Sequence, residues 1–160
     1  ITGLVGSEMC IRDSSDGIPY IFHDNDLKRI CNLPYKFDSL SSQEIDDLRI
    51  FGDHKIPKLV DALNTFPSTS FQIDFKTDEV VNPALEVISK SNASERVCVA
   101  SFNSERLNNV RSTHPHLCIS MGPNEVAKTL MSSFGIYRGI VPGDCLQIPI
   151  RYYGARIYEF

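Results

Sequence analysis

Residues 70–100 read SFQIDFKTDEVVNPALEVISKSNASERVCVA, and the order of patterns within them decides the fold class. Ser70-Phe71-Gln72-Ile73-Asp74-Phe75-Lys76 alternates apolar and polar residues, the period-two signature of a strand. Residues 80–89 read as a helix with Leu85 and Ile88 turned inward. RVCVA at 96–100 is a short β-branched run of the kind a strand buried on both faces carries. Strand, helix and strand in direct succession predict a βαβ unit on a parallel sheet.

The same alternation continues on both sides. Downstream, residues 103–112 form a helix capped by Asn103 or Ser104, with Leu107 and Val110 inward. A strand over 117–120, a helix over 124–132 and a strand over 145–150 (CLQIPI, weakened by Pro149) follow. Upstream, Asp16-Gly17 marks a turn before an apolar, β-prone run over 18–23, which Asp24-Asn25-Asp26 ends. Residues 39–51 contain Ser41 and, three positions on, Glu44, the spacing of a capping box. Pro57 suits the first turn of a further helix, whose stripe is Leu59, Val60, Leu63 and Phe66. The pattern leaves two architectures open, an open doubly wound sheet or part of a barrel. No Gly-x-Gly-x-x-Gly follows a strand, which counts against a dinucleotide fold. In either architecture chemistry belongs at the C-terminal ends of the strands.

Composition narrows the function classes. The chain has 160 residues, 42% of them apolar and 22% charged, an ordinary globular balance that excludes disordered and coiled-coil classes. No apolar run reaches the ~18 residues of a membrane span. A net charge of −4 without a basic cluster argues against nucleic-acid binding. The cysteines at 10, 31, 98, 118 and 145 show no Cys-x-x-Cys pair, so neither a zinc site nor a disulfide framework is expected. Cys98 and Cys118 read as small core residues, and reduced thiols fit a cytoplasmic protein.

The candidate chemistry gathers at three points. His23-Asp24 follows the first apolar run, Asp74 and Lys76 end the second strand, and Ser101-Phe102 follows the third. Asp74 and Lys76 share one strand face because side chains repeat with period two, while Phe71, Ile73 and Phe75 take the other. A buried acid and base need each other or a cation, so the pair is either a site or a plain ion pair. His23 is either a proton carrier or a strand-end histidine satisfied by Asp24. His54, His114 and His116 sit in polar loops.

The first residues carry a different signal. Residues 3–14 resemble a translated sequencing adapter, and LVGSEMCIRD at 4–13 matches the adapter's codons without a mismatch. Residues 1–14 are accordingly read as non-native and set aside from the fold, and 15–160 as the chain proper, entering in mid-gene.

Asp16-Gly17-Ile18-Pro19-Tyr20-Ile21-Phe22-His23-Asp24 closely resembles the DG-x-P-x-x-x-HD segment of glycerophosphodiester phosphodiesterases. The similarity continues through Ile56-Pro57 and Leu59, then Ile73-Asp74-Phe75-Lys76, similar to that family's I-E-x-K strand, and Ser101-Phe102. It covers residues 16 to about 150 in order and spacing. The resemblance implies an α/β chain that is a partial (β/α)8 TIM barrel, the central part of the domain truncated at both ends. It implies metal-dependent hydrolysis of glycerophosphodiesters to sn-glycerol 3-phosphate and an alcohol in glycerophospholipid metabolism, with Ca2+ or Mg2+ as cofactor. The expected partner is that small-molecule substrate, with no nucleic acid and no transmembrane segment. Carried over, His23 is the general acid on the leaving alkoxide and Lys76 a catalytic and substrate-binding charge on a phosphate oxygen. Asp74 stands for the metal-binding Glu, Phe102 is a substrate contact and Asp24 supports the His23 loop. Asp for Glu shortens the ligand by one methylene and puts metal affinity in doubt. The family's first-strand His-Arg and its Glu-x-Asp are not found in residues 15–160, so this chain by itself is expected to be inactive. A sphingomyelinase D or lysophospholipase D-like enzyme on the same barrel and a non-catalytic barrel that binds phosphate compounds are the alternatives.

Overall fold

A computed structural model describes residues 8–146, 151–152 and 155–156. The described residues hold seven strands and six α-helices: β1 (Glu8–Asp13), β2 (Pro19–Ile21), α1 (Lys28–Cys31), α2 (Ser42–Asp47), α3 (Leu59–Thr65), β3 (Phe71–Phe75), α4 (Val81–Lys90), β4 (Val97–Ala100), α5 (Ser104–Thr113), β5 (Cys118–Ile119), α6 (Pro123–Ser133), and the antiparallel pair β6 (Arg151–Tyr152) and β7 (Ala155–Arg156).

The main sheet has the order β2-β1-β3-β4-β5, with β1, β3, β4 and β5 parallel and β2 antiparallel on the edge. Each parallel strand is laid beside the previous one without reversal. Right-handed crossovers then place every connecting helix on the same face, whereas a doubly wound sheet reverses direction and fills both faces. The packing agrees. Ile11, Ile73, Phe75, Val99 and Ile119 form one core with Leu63 of α3, Leu85 and Ile88 of α4, and Leu107 of α5. The opposite face carries Cys10, Gln72, Asp74, Cys98 and Ala100, the polar and small residues of a barrel interior. The described sheet is part of a (β/α)8 barrel, which resolves the choice the sequence pattern leaves open.

Local rules hold where they were read from sequence. Ser41 Oγ accepts from the Glu44 amide while the Ser41 amide donates to Glu44 Oε2 at 2.8 Å, completing the capping box of α2. Asn103 caps α5 by accepting from the amides of Glu105 and Arg106. The helix expected over 39–51 stops at Asp47, because Leu48 is extended. The strand expected over 145–150 lies outside the described residues from 147 onward. Its first residue, Cys145, bridges Ser120 in parallel.

Two sequence readings are corrected. Residues 8–13, set aside from the fold for their adapter likeness, form β1, which lies between β2 and β3. Met9 and Ile11 sit in the main core and point opposite to Cys10 and Arg12, as the alternation in EMCIRD dictates. The run over 18–23 is not a barrel strand followed by a crossover. It is the second arm of a hairpin, with Ile21 opposite Ile11 and Pro19 opposite Asp13. The Ser14–Gly17 turn that joins the arms needs Gly17 at φ +79°, a conformation costly for residues with a Cβ.

A second core holds this hairpin against the excursion over 24–57. Tyr20, Phe22, Leu27, Phe37, Ile45 and Ile56 are buried together, with Phe22 stacked on Phe37 at 4.5 Å between centroids. The Tyr20 hydroxyl donates to Asp46 Oδ1 at 2.9 Å, and Lys58 Nζ pairs with Asp46 Oδ2 at 2.6 Å. Asp16 accepts from the Ser42 amide at 2.7 Å and from its hydroxyl at 2.6 Å, so the acidic residue of the turn anchors the start of α2.

Candidate active site

β3 delivers the central pair. Asp74 points to the interior face and is 1% exposed, and Lys76, one residue beyond the strand, turns to the same side. Lys76 Nζ reaches Asp74 Oδ2 at 2.6 Å. Burial alone would pull the Lys76 ammonium down, but the hydrogen bond and charge of Asp74 outweigh it and hold the lysine above its ordinary value. Cys10 stands in register with Asp74 on the neighbouring strand, its Sγ 4.0 Å from Oδ2.

The hairpin delivers His23. The Arg12 Nε–H donates to the His23 carbonyl at 3.2 Å, tying the residues after β2 back to β1. His23 Nδ1 lies 2.9 Å from Asp24 Oδ1, and Arg29 holds the same carboxylate through Nε at 2.7 Å and Nη2 at 3.1 Å. Hydrogen bonds from Arg29 and then His23 lower the Asp24 carboxyl to about 2, so it stays ionised and orients the imidazole. The β4–α5 loop delivers Phe102, 78% exposed, whose ring lies 5.5 Å from Lys76 Nζ. Arg106 Nη1 donates to the Phe75 carbonyl at 2.8 Å and to Ser101 Oγ at 2.9 Å, locking that loop to the end of β3.

Cys10, Ile21, Phe22, His23, Lys76 and Phe102 line one open cleft of about 460 Å3. Thus His23, Lys76 and Phe102 meet at a common surface, Asp74 lies beneath it against Lys76, and Asp24 stands behind His23. His23 arrives by the hairpin, not by the rule for parallel strand ends, because β2 runs antiparallel. Arg29, which clamps Asp24, and Cys10 and Arg12 on β1 were missed in the sequence. The period-two alternation over 8–13 is the signal that would have found the last two.

One oxygen is unaccounted for. Asp74 Oδ1 is buried and has no hydrogen-bond partner. A buried carboxylate oxygen without a partner is costly, and it fits a cation ligand. Asp74 supplies one hard oxygen, whereas Ca2+ or Mg2+ takes about six or more. Cys10, beside it, offers a soft sulfur poorly suited to either ion.

The comparisons extend this geometry. No protein-family model matches the chain. It is 28% identical over 156 residues to "Probable glycerophosphodiester phosphodiesterase 2" of Mycobacterium tuberculosis, covering 94% of this chain and 59% of that protein. A second curated relative, the glycerophosphodiester phosphodiesterase of Caldanaerobacter subterraneus, is 27% identical over 133 residues, covering 74% of this chain and 55% of the relative. This chain is similar to glycerophosphodiester phosphodiesterases. It spans a little over half the length of these curated relatives. Among solved structures, the glycerophosphoryl diester phosphodiesterase domain of a Mycobacterium tuberculosis protein superposes with a TM-score of 0.69 at 19% identity, over 84% of this chain and 56% of that one. An Oleispira antarctica phosphodiesterase solved with the product sn-glycerol-3-phosphate superposes with a TM-score of 0.67 at 21% identity, over 74% of this chain and 54% of that one. The barrel fold shared with these structures accounts for the one-sided helices.

Proposed function

We propose that this chain forms part of the catalytic barrel of a divalent-cation-dependent phosphodiesterase that cleaves glycerophosphodiesters to sn-glycerol 3-phosphate and an alcohol, a step of glycerophospholipid turnover. The observation that carries the reading is the convergence of His23 and Lys76 on one cleft above a buried carboxylate with an unused oxygen. The names of the curated relatives and the product seen in the Oleispira antarctica phosphodiesterase support the substrate class.

The roles follow from chemistry. A phosphodiester brings a negative charge, and more develops on its oxygens as the P–O bond breaks. Lys76 binds that oxygen as a fixed positive charge in a partly dry site, where electrostatic stabilisation is strongest. His23, oriented by Asp24, gives its proton to the departing alkoxide, which is otherwise a poor leaving group. Phe102 covers Lys76 and presents an apolar wall to the alcohol. A divalent cation, Ca2+ or Mg2+, when bound supplies Lewis-acid charge on a phosphate oxygen, and Asp74 Oδ1 is the ligand this chain offers it.

Full-length protein assayed on glycerophosphocholine with Mg2+ or Ca2+ releases glycerol 3-phosphate, and chelation stops it. His23→Ala lowers turnover of alkyl diesters by about 10²–10⁴-fold. It spares a p-nitrophenyl diester, whose leaving group needs no proton. Equal loss on both substrates removes His23 from the acid role. Turnover of a lysophospholipid in preference to glycerophosphocholine replaces this reading with the lysophospholipase D-like one. Phosphate-ester binding without turnover replaces it with a binding barrel.

A further inference from the structure

Three cysteines that are far apart in the chain meet on the interior face of the sheet. Cys98 on β4 and Cys118 on β5 are direct cross-strand partners in the parallel ladder. Cys145 opens the next segment, which bridges Ser120 and accepts the Met121 amide on its carbonyl at 2.8 Å. The three sulfurs lie within 4.8 Å of one another, with Cys98 buried and the other two half-buried. This cluster is separate from the phosphodiester site. Cys98 is in register with Gln72 whereas Asp74 is in register with Ala100, so the thiols sit two residues further towards the N-terminal ends of the strands.

We propose that Cys98, Cys118 and Cys145 form a binding site for a thiophilic d10 metal ion, Zn2+ or Cu+, that fastens three successive barrel segments together.

Three observations carry this. Sulfurs around a tetrahedral zinc with Zn–S bonds of ~2.3 Å stand ~3.8 Å apart. Here Cys98 and Cys145 stand 3.1 Å apart and all three sulfurs lie within 4.8 Å of one another, a range that includes that value. β4 and β5 hold Cys98 and Cys118, and the bridge to Ser120 ties Cys145 to the same sheet, so rigid elements position the ligands. A disulfide would use two of the thiols and strand the third, whereas a metal uses all three. Binding releases thiol protons to solvent as each sulfur takes the metal, with no change of oxidation state. The short-range spacing rules for zinc motifs could not show this site, because its ligands come from two strands and a later segment, far apart in the chain.

The test is a titration of the reduced, metal-free chain with Cd2+, followed by thiolate-to-Cd2+ ultraviolet absorption, with Zn2+ as competitor. One Cd2+ binds per chain and Zn2+ displaces it. Cys98→Ser, Cys118→Ser and Cys145→Ser each weaken binding by at least about tenfold. Cys31→Ser, which changes a thiol in the second core, leaves it unaltered. Cys118→Ser also separates a lost ligand from a lost fold. Its side chain is half-buried, so the metal-free variant keeps the melting temperature of the parent, and Zn2+ raises the parent's melting temperature but not the variant's. Charge-transfer absorption that survives all three substitutions overturns the proposal. So does recovery of a Cys98–Cys145 disulfide in place of bound metal.

Discussion

Replacing Lys76 by Met isolates the electrostatics of the candidate site. Methionine keeps the length of the stem under Phe102 and removes only the charge. Asp74 is 1% exposed, its Oδ1 already lacks a partner, and Lys76 is the ammonium on its Oδ2 at 2.6 Å. The variant therefore leaves a buried carboxylate with its main compensation gone, a change that costs about 3–5 kcal/mol. For a domain of this size each kcal/mol lowers Tm by about 2–4 °C, so Lys76→Met melts about 6–20 °C below the parent. Removing both charges should behave differently. Asp74→Leu combined with Lys76→Met replaces the pair by apolar groups and recovers most of the loss, since such exchanges are often neutral or stabilising. The pH dependence has a definite sign. Lys76 is held above its ordinary value of 10.5 by Asp74, with burial opposing, so its contribution is complete below about 10.5. It is lost as pH rises through the raised value, and the gap between parent and variant closes in that range. Circular dichroism melts at pH 7 and across the alkaline range measure all three quantities. A loss below about 1 kcal/mol, or a double variant no more stable than Lys76→Met, refutes the reasoning.

Other consequences concern the frame around the site. Ile11→Ala on β1 should cost about 2–5 kcal/mol in denaturant unfolding, as a fully buried core residue does, and a cost near zero would remove β1 from the core. Gly17→Ala should cost about 1–2 kcal/mol from its positive φ alone, since nothing lies within 4 Å of the added methyl group. Asp24 is ionised down to about 2 because Arg29 and then His23 bond to it, so its contribution to the order of the His23 loop is complete above its ordinary value of 3.8 and lost as pH falls through about 2. Proton NMR of the His23 ring checks this. We also propose that source DNA read upstream of Ser15 encodes a different segment from residues 1–14. An uninterrupted gene encoding these same residues would refute the adapter origin.

Much of the frame was legible locally. The alternation in SFQIDFK placed Asp74 and Lys76 on one face, and the structure joins them at 2.6 Å. The Ser41 and Glu44 spacing marked the start of α2, and Asn103 that of α5. These features depend on backbone period and on caps within a few residues, so neighbouring sequence suffices for them. Residues 8–13 resemble an adapter, yet their period-two pattern is that of a strand, and they pair as one. A strand pairs according to its alternation, whatever the source of its codons.

Other features depend on which strands become neighbours, and no local pattern carries that. The antiparallel return of β2 brings His23 to Lys76 across 53 positions of chain, and Arg12 and Arg29 hold it there. The sequential order of β1, β3, β4 and β5 puts the helices on one face and leaves the other for polar groups. The same order places Cys98, Cys118 and Cys145 within 4.8 Å, although the sequence shows them as unrelated thiols. By itself the sequence determines the elements, their buried faces and the residue types able to carry a charge or a proton. Only the tertiary structure decides which of those residues meet, because strand register converts distance along the chain into adjacency across the sheet.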